Sequence, residues 1–96
     1  MSDFTITAMS IIDSEAGPSG YRVLASYDLT VNGIMMAGCV LVEGPDSLVS
    51  AKGVRGKTPK GDKISAQFTD PALQRAITQR TAETYTALTG RRVEVG

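Results

Sequence analysis

Residues 21–42, YRVLASYDLTVNGIMMAGCVLV, decide the fold. From Tyr21 to Val31 the chain alternates. Tyr21, Val23, Ala25, Tyr27, Leu29 and Val31 fall on one side; Arg22, Ser26, Asp28 and Thr30 fall on the other, with Leu24 the exception. Period-two alternation marks a strand with one buried face. Asn32-Gly33 follows, between Val31 and Ile34. Both central residues of a type I′ turn need positive φ, which Asn and Gly tolerate best, so a tight hairpin is predicted. Ile34 to Val42 is apolar throughout, interrupted only by Gly38. That composition predicts a central strand, or one buried by a partner subunit.

Working outward, Phe4 to Ile12 is β-branched, apolar and free of Gly and Pro, and reads as a strand. Asp13 to Gly20 is a turn-forming loop. Gly44-Pro45-Asp46-Ser47 fits a second turn, because Pro presets φ and Asp can bond the backbone beyond it. Leu48 to Val54 reads as a fourth strand, Thr58-Pro59-Lys60-Gly61 as a third turn, and Lys63 to Phe68 as a fifth strand. The period then changes. Asp70 is an N-cap and Pro71 suits the first helical position. Leu73, Ala76, Ile77, Thr81, Thr84, Tyr85 and Leu88 share one helical face, and Gly90 ends the helix. Residues 91–96 are a frayed tail or a short extra strand. The fold class expected is α+β: one domain over residues 1–96, ordered from about 4 to 90. It is an antiparallel meander of about five strands followed by one C-terminal amphipathic helix.

Composition narrows the function. The 96 residues suffice for one core and not for two, and 42% hydrophobic content is well above that of disordered chains. No apolar run approaches the roughly 18 residues that cross a bilayer, so no membrane partner is expected. Met1-Ser2-Asp3 lacks the basic flank of a leader, and one cysteine forms no internal disulfide, so the cytoplasm is expected. Histidine is absent, which removes Ser-His and Cys-His nucleophile pairs and leaves a zinc site short of ligands. Cys39, between Gly38 and Val40, reads as a small core residue. Asp13 with Glu15, and Glu43 with Asp46, lack the dense oxygen spacing of a calcium loop and read as solvated turn carboxylates. Neither an enzyme, a cofactor, a metal nor a small-molecule substrate is expected.

Two motifs fail on context. Ala51, Gly56, Lys57 and Thr58 satisfy a loose phosphate-binding loop, but that loop needs a helix starting at the Lys-Thr, and Pro59 and Gly61 follow instead. Gly53-Val54-Arg55-Gly56 echoes the GxxG clamp of KH domains, which lies near helices rather than between strands.

Charge supplies the positive signal. Residues 1–50 carry Arg22 alone against six acids, a net of −5; residues 51–96 carry nine cations against four acids, a net of +5. Between Lys52 and Lys63 lie five cations, Lys52, Arg55, Lys57, Lys60 and Lys63, and one acid, Asp62, interleaved with Gly53, Gly56 and Gly61. Glycines let a backbone approach a phosphate, and basic side chains neutralise it. The plain counter-reading is a solvated hairpin whose lysines guard an exposed edge. Few aromatics are present and most read as buried, which disfavours a single-strand stacking platform.

The same segment resembles the SpoVG (septation protein) family of small bacterial regulators. Ala25-Ser26 with Leu29, then Gly44 and Leu48, then Lys57-Thr58-Pro59-Lys60-Gly61 resemble its strand, turn and basic-turn motifs in order and spacing from about Phe4 to Gly90. Ser47 stands where the family has a second turn glycine, Gly56-Lys57 where it has Lys-Arg, and Lys60 where it has Asp. The resemblance implies a homodimer that binds DNA, and in some members RNA, with Lys57 and Thr58 carrying over; Arg55 and Lys60 enter on charge alone. The nucleic-acid-binding residues expected are therefore Lys52, Arg55, Lys57, Thr58, Lys60, Lys63, Arg75 and Arg80, with Arg91 and Arg92 as further candidates. The alternative is a protein-interaction or structural module whose basic half meets an acidic partner.

Overall fold

Asn32 and Gly33 take φ values of 50° and 77°, the left-handed geometry a type I′ turn demands. The turn joins β2 (Arg22–Val31) to β3 (Ile34–Glu43) in antiparallel register. The computed structural model describes residues 4–95, apart from the side chain of Ile64. Met1–Asp3, read above for a leader, and Gly96 lie outside the described residues. β1 (Phe4–Ile11) flanks β2, and β4 (Leu48–Lys52) flanks β3, both antiparallel.

Two register shifts explain what simple alternation misses. One between Val23 and Ala25 inserts Leu24 as an extra residue in β2, so Leu24 and Ala25 are both fully buried. The other lies opposite Gly38, whose φ of 84° suits a bulge, and the Asp28 carboxylate accepts the Gly38 N–H at 3.0 Å. Tyr21, expected on the buried face, lies outside β2 and is 53% exposed.

The meander departs from expectation after β4. The chain leaves the sheet at Gly53, where a Cβ would collide with the Ala66 carbonyl oxygen. Only a glycine lets the two backbones run so close. The strand expected over Leu48 to Val54 therefore stops at Lys52. β5 (Arg55–Lys57) and β6 (Lys63–Ser65) pair only with each other, as a separate two-stranded arm. The fifth strand expected over Lys63 to Phe68 is thus short and outside the main sheet. Its place beside β4 is taken by β7 (Glu94–Val95), in parallel, so the sheet order is β1-β2-β3-β4-β7. Of the two alternatives for the tail, the short strand forms.

Helix α1 (Pro71–Thr89) begins and ends where its sequence signals lie. Asp70 Oδ1 accepts the Ala72 N–H at 3.0 Å, and Gly90, at φ 76°, donates its N–H to Thr86. The buried stripe is Ile77, Thr78, Thr81, Ala82 and Tyr85, turned from the expected one: Ala76 is exposed and Leu88 is 59% exposed. Hydropathy ranks threonine as polar, but each of these hydroxyls finds a partner. Thr78 and Thr81 donate to the carbonyls of Gln74 and Ile77, and Thr78 Oγ1 accepts the Ala51 N–H at 3.0 Å. The helix packs across β4 and closes a core of Leu24, Ala25, Tyr27, Leu29, Cys39, Leu41, Val49, Ile77 and Tyr85. The architecture is α+β, a mostly antiparallel five-stranded sheet followed by one C-terminal helix. The opposite sheet face, with Thr30, Val40 and Met35, is half-buried to exposed. No helix among the described residues is long and apolar enough to cross a membrane.

Candidate nucleic-acid interface

The arm sorts its residues by register. Arg55 pairs with Ser65, Gly56 with Ile64 and Lys57 with Lys63. Directly opposed residues share a face, and alternate residues of one strand do too. Arg55, Lys57, Lys63 and Ser65 therefore stand on one face. Gly56, on the other, adds no side chain. The turn closing the arm is tied by Thr58 N–H to Asp62 O and Gly61 N–H to Thr58 O, both 2.8 Å, with Gly61 at φ 88°. Thr58 Oγ1 also accepts the Asp62 N–H at 3.1 Å.

The cationic face borders an open cleft of about 990 Å³ between the arm, the end of β4 and the first turns of α1. Lys52, Arg55, Lys57 and Lys63 line it, and among the described residues no carboxylate does. Lysines directly opposed across a strand pair repel each other. The ion pairs among the described residues, Arg22–Glu43 at 3.1 Å and Arg91–Asp13 at 3.5 Å, leave these cations alone. Among the described residues these cations form no ion pair and no acid lines the cleft, so an anion entering it meets a net positive lining.

Four of the eight expected residues are thus brought together. Thr58 and Lys60 sit at the arm's tip, outside the cleft lining, with Thr58 half-buried and Lys60 exposed. Arg75 and Arg80 are exposed on α1 and do not line the cleft. Five helical residues apart, they project about 140° from each other around the axis, on different faces of the helix. Arg91 is engaged with Asp13, and Arg92 is exposed beside it. Sequence reasoning missed Ser65, Gln67, Phe68 and Gln74, which also line the cleft. Phe68 was assigned to a strand; it is half-buried in the link between arm and helix.

A second polar cluster lies toward the other end of α1. Tyr85 donates to Asp13 Oδ1 at 2.6 Å, the same oxygen that Arg91 approaches. Burial, then the bond to Asp13, pushes the Tyr85 phenol above its ordinary pKa. The cluster fastens the β1–β2 loop and the C-terminal segment to the helix. Cys39 is fully buried, and burial followed by nearby Asp28 raises its thiol pKa. Among the described residues no three His, Cys, Asp or Glu side chains gather as a metal site would require. Comparison with protein-family models, with curated proteins and with solved structures finds no match to this chain.

Proposed function

We propose that this chain is a small cytoplasmic nucleic-acid-binding regulator, not an enzyme, that holds DNA phosphates in its cationic cleft and acts as a homodimer joined through the sheet. One observation carries the reading: the β5–β6 register gathers Arg55, Lys57 and Lys63 on one face, beside Lys52 and without a lining carboxylate. The groups on offer there are ammonium, guanidinium, amide, hydroxyl and ring, which suit binding rather than proton transfer at neutral pH. The SpoVG resemblance points the same way.

A gel shift titrated with salt tests it. Each neutralised phosphate releases counterions, so log affinity falls with log salt at about −0.9 per contact on duplex DNA. Replacing Arg55, Lys57 and Lys63 together with Ala should flatten that slope by about two to three units. The fold should stand, since changes at exposed positions usually cost within about 0.5 kcal/mol. An unchanged slope in a folded variant moves the site off the arm. Failure of the native protein to bind nucleic acid at low salt gives the cleft to an acidic protein partner instead.

A further inference from the structure

We infer that the cleft takes single-stranded nucleic acid, with phosphates along Arg55, Lys57 and Lys63 and one base laid against Phe68. This rests on the nucleic-acid reading above and narrows it.

The direction of the cations comes first. A ribbon that reads a duplex groove carries its contacts outward, on the surface that enters the groove. Here the three cations of β5 and β6 line the hollow between arm and body, and only Lys60 is at the exposed tip. They are exposed as well, so a ligand at the rim can touch them, but a chain lying within the hollow meets all three together. A duplex is a stiff rod, with a persistence length of about 50 nm, and can only lie across the mouth. A single strand bends into a concavity of about 990 Å³, which is space for a few nucleotides.

The opposite wall suits a base rather than a phosphate. Phe68 presents a half-buried ring, held in place by packing against the core. Gln67 and Gln74 line the same cleft and carry no charge. Gln74 Nε2 donates one bond to the Ala51 carbonyl at 3.2 Å, which fixes the amide and leaves its oxygen and second N–H for a ligand. Unpaired bases are recognised by this pairing of an aromatic face with amides that match their edges. The arm contributes Arg55, Lys57 and Lys63, and the body contributes the ring and amides with Lys52 at their edge, so the cleft offers groups for both the phosphates and the bases of a nucleotide strand. With one ring in place of a row of them, one base stacks and its neighbours contribute phosphates.

Fluorescence anisotropy on the full chain at low salt decides the matter. The probes are labelled oligothymidylate, oligouridylate, an abasic deoxy strand and a duplex, all of one length. Oligothymidylate or oligouridylate should bind about tenfold more tightly than the abasic strand, which keeps the phosphates and lacks the bases. Tight binding of either base-bearing strand supports the inference. Phe68→Leu should lose a similar factor without altering the salt slope, whereas Lys57→Ala should flatten the slope by about 0.7. Equal affinity for abasic and base-bearing strands overturns the inference, as does a duplex that binds more tightly than either strand. Both results leave phosphate binding at the arm intact. Absence of binding to every probe removes the nucleic-acid reading itself.

Discussion

At the scale of single residues, the sharpest consequence lies with Tyr85. Its phenol is fully buried and bonded to Asp13, and its pKa is raised; burial raises that of Tyr27 as well. In the unfolded chain both phenols ionise near pH 10. The folded state keeps its protons to higher pH, so above about pH 10 the unfolded state binds fewer protons and stability falls as pH rises. Below pH 10 this contribution is fully present. Urea denaturation at rising pH should show stability dropping from about pH 10. Tyr85→Phe should shrink that drop, and at neutral pH should cost about 1 kcal/mol for the lost hydrogen bond. A variant whose alkaline profile matches the native one would place the titration elsewhere. Cys39, in contrast, should resist a thiol reagent in the folded protein and react only on unfolding.

At the scale of elements, the arm is held to the body by little. An isolated two-stranded hairpin is marginal in water. Its root is the bond from Ala66 N–H to Val54 O at 2.9 Å and the close pass of Gly53 against Ala66. Gly53→Ala forces these backbones apart, so thermal melting should report a loss of about 1–3 kcal/mol, with nucleic-acid affinity falling too. Gly61→Ala gives the control at the tip: its Cβ meets nothing within 4 Å, so only the strain of its φ of 88° remains. Equal losses from both would mean that the Gly53 contact is unimportant. This root also marks where sequence and structure part. The Asn32-Gly33 hairpin, the Asp70 cap and the Gly90 stop are written in local chemistry, and all three form. Gly53 is a glycine whose need lies 13 residues further on, at Ala66, which no local pattern displays. The expected helix face holds Ile77, Thr81 and Tyr85 but omits Thr78, a polar residue by hydropathy whose hydroxyl is hidden in bonds to the Gln74 carbonyl and the Ala51 N–H. The cations of the cleft were legible as a basic run. Their gathering on one face was not, since it follows from the pairing of Lys57 with Lys63.

At the scale of the whole molecule, the sheet leaves one long side unprotected. Among the described residues nothing pairs with the outer edge of β1, and Phe4–Ile11 contains no charge and no proline to discourage pairing, the register shift at Thr7 being its one interruption. The open sheet face adds Met35, 64% exposed, and Ile34, 62% exposed, stands at the tip of the hairpin. Two uncharged edges can approach without repulsion, and β1 set antiparallel to β1 of a second copy satisfies both rows of backbone groups. Sedimentation at micromolar concentration should therefore give about twice the 10.1 kDa chain mass. Thr7→Lys, which places like charges on the two edges, should return it to a monomer. A native protein that stays monomeric at high concentration removes the dimer from the reading.

The exposed arm also makes the molecule divisible. Arg55, Lys57, Lys60 and Lys63 are all open to solvent, and trypsin cuts after such residues at mobile tips. A cut after Lys60 parts β1 through β5 from β6, α1 and β7, yet Ile77 and Tyr85 remain packed on the sheet and β7 remains paired with β4. The nicked protein should run as one particle under native conditions and as two fragments in denaturant. The halves, expressed separately, are then candidates for reassembly from solution, and a tag or a reporter domain spliced between Pro59 and Gly61 would ride on a scaffold that does not need that peptide bond.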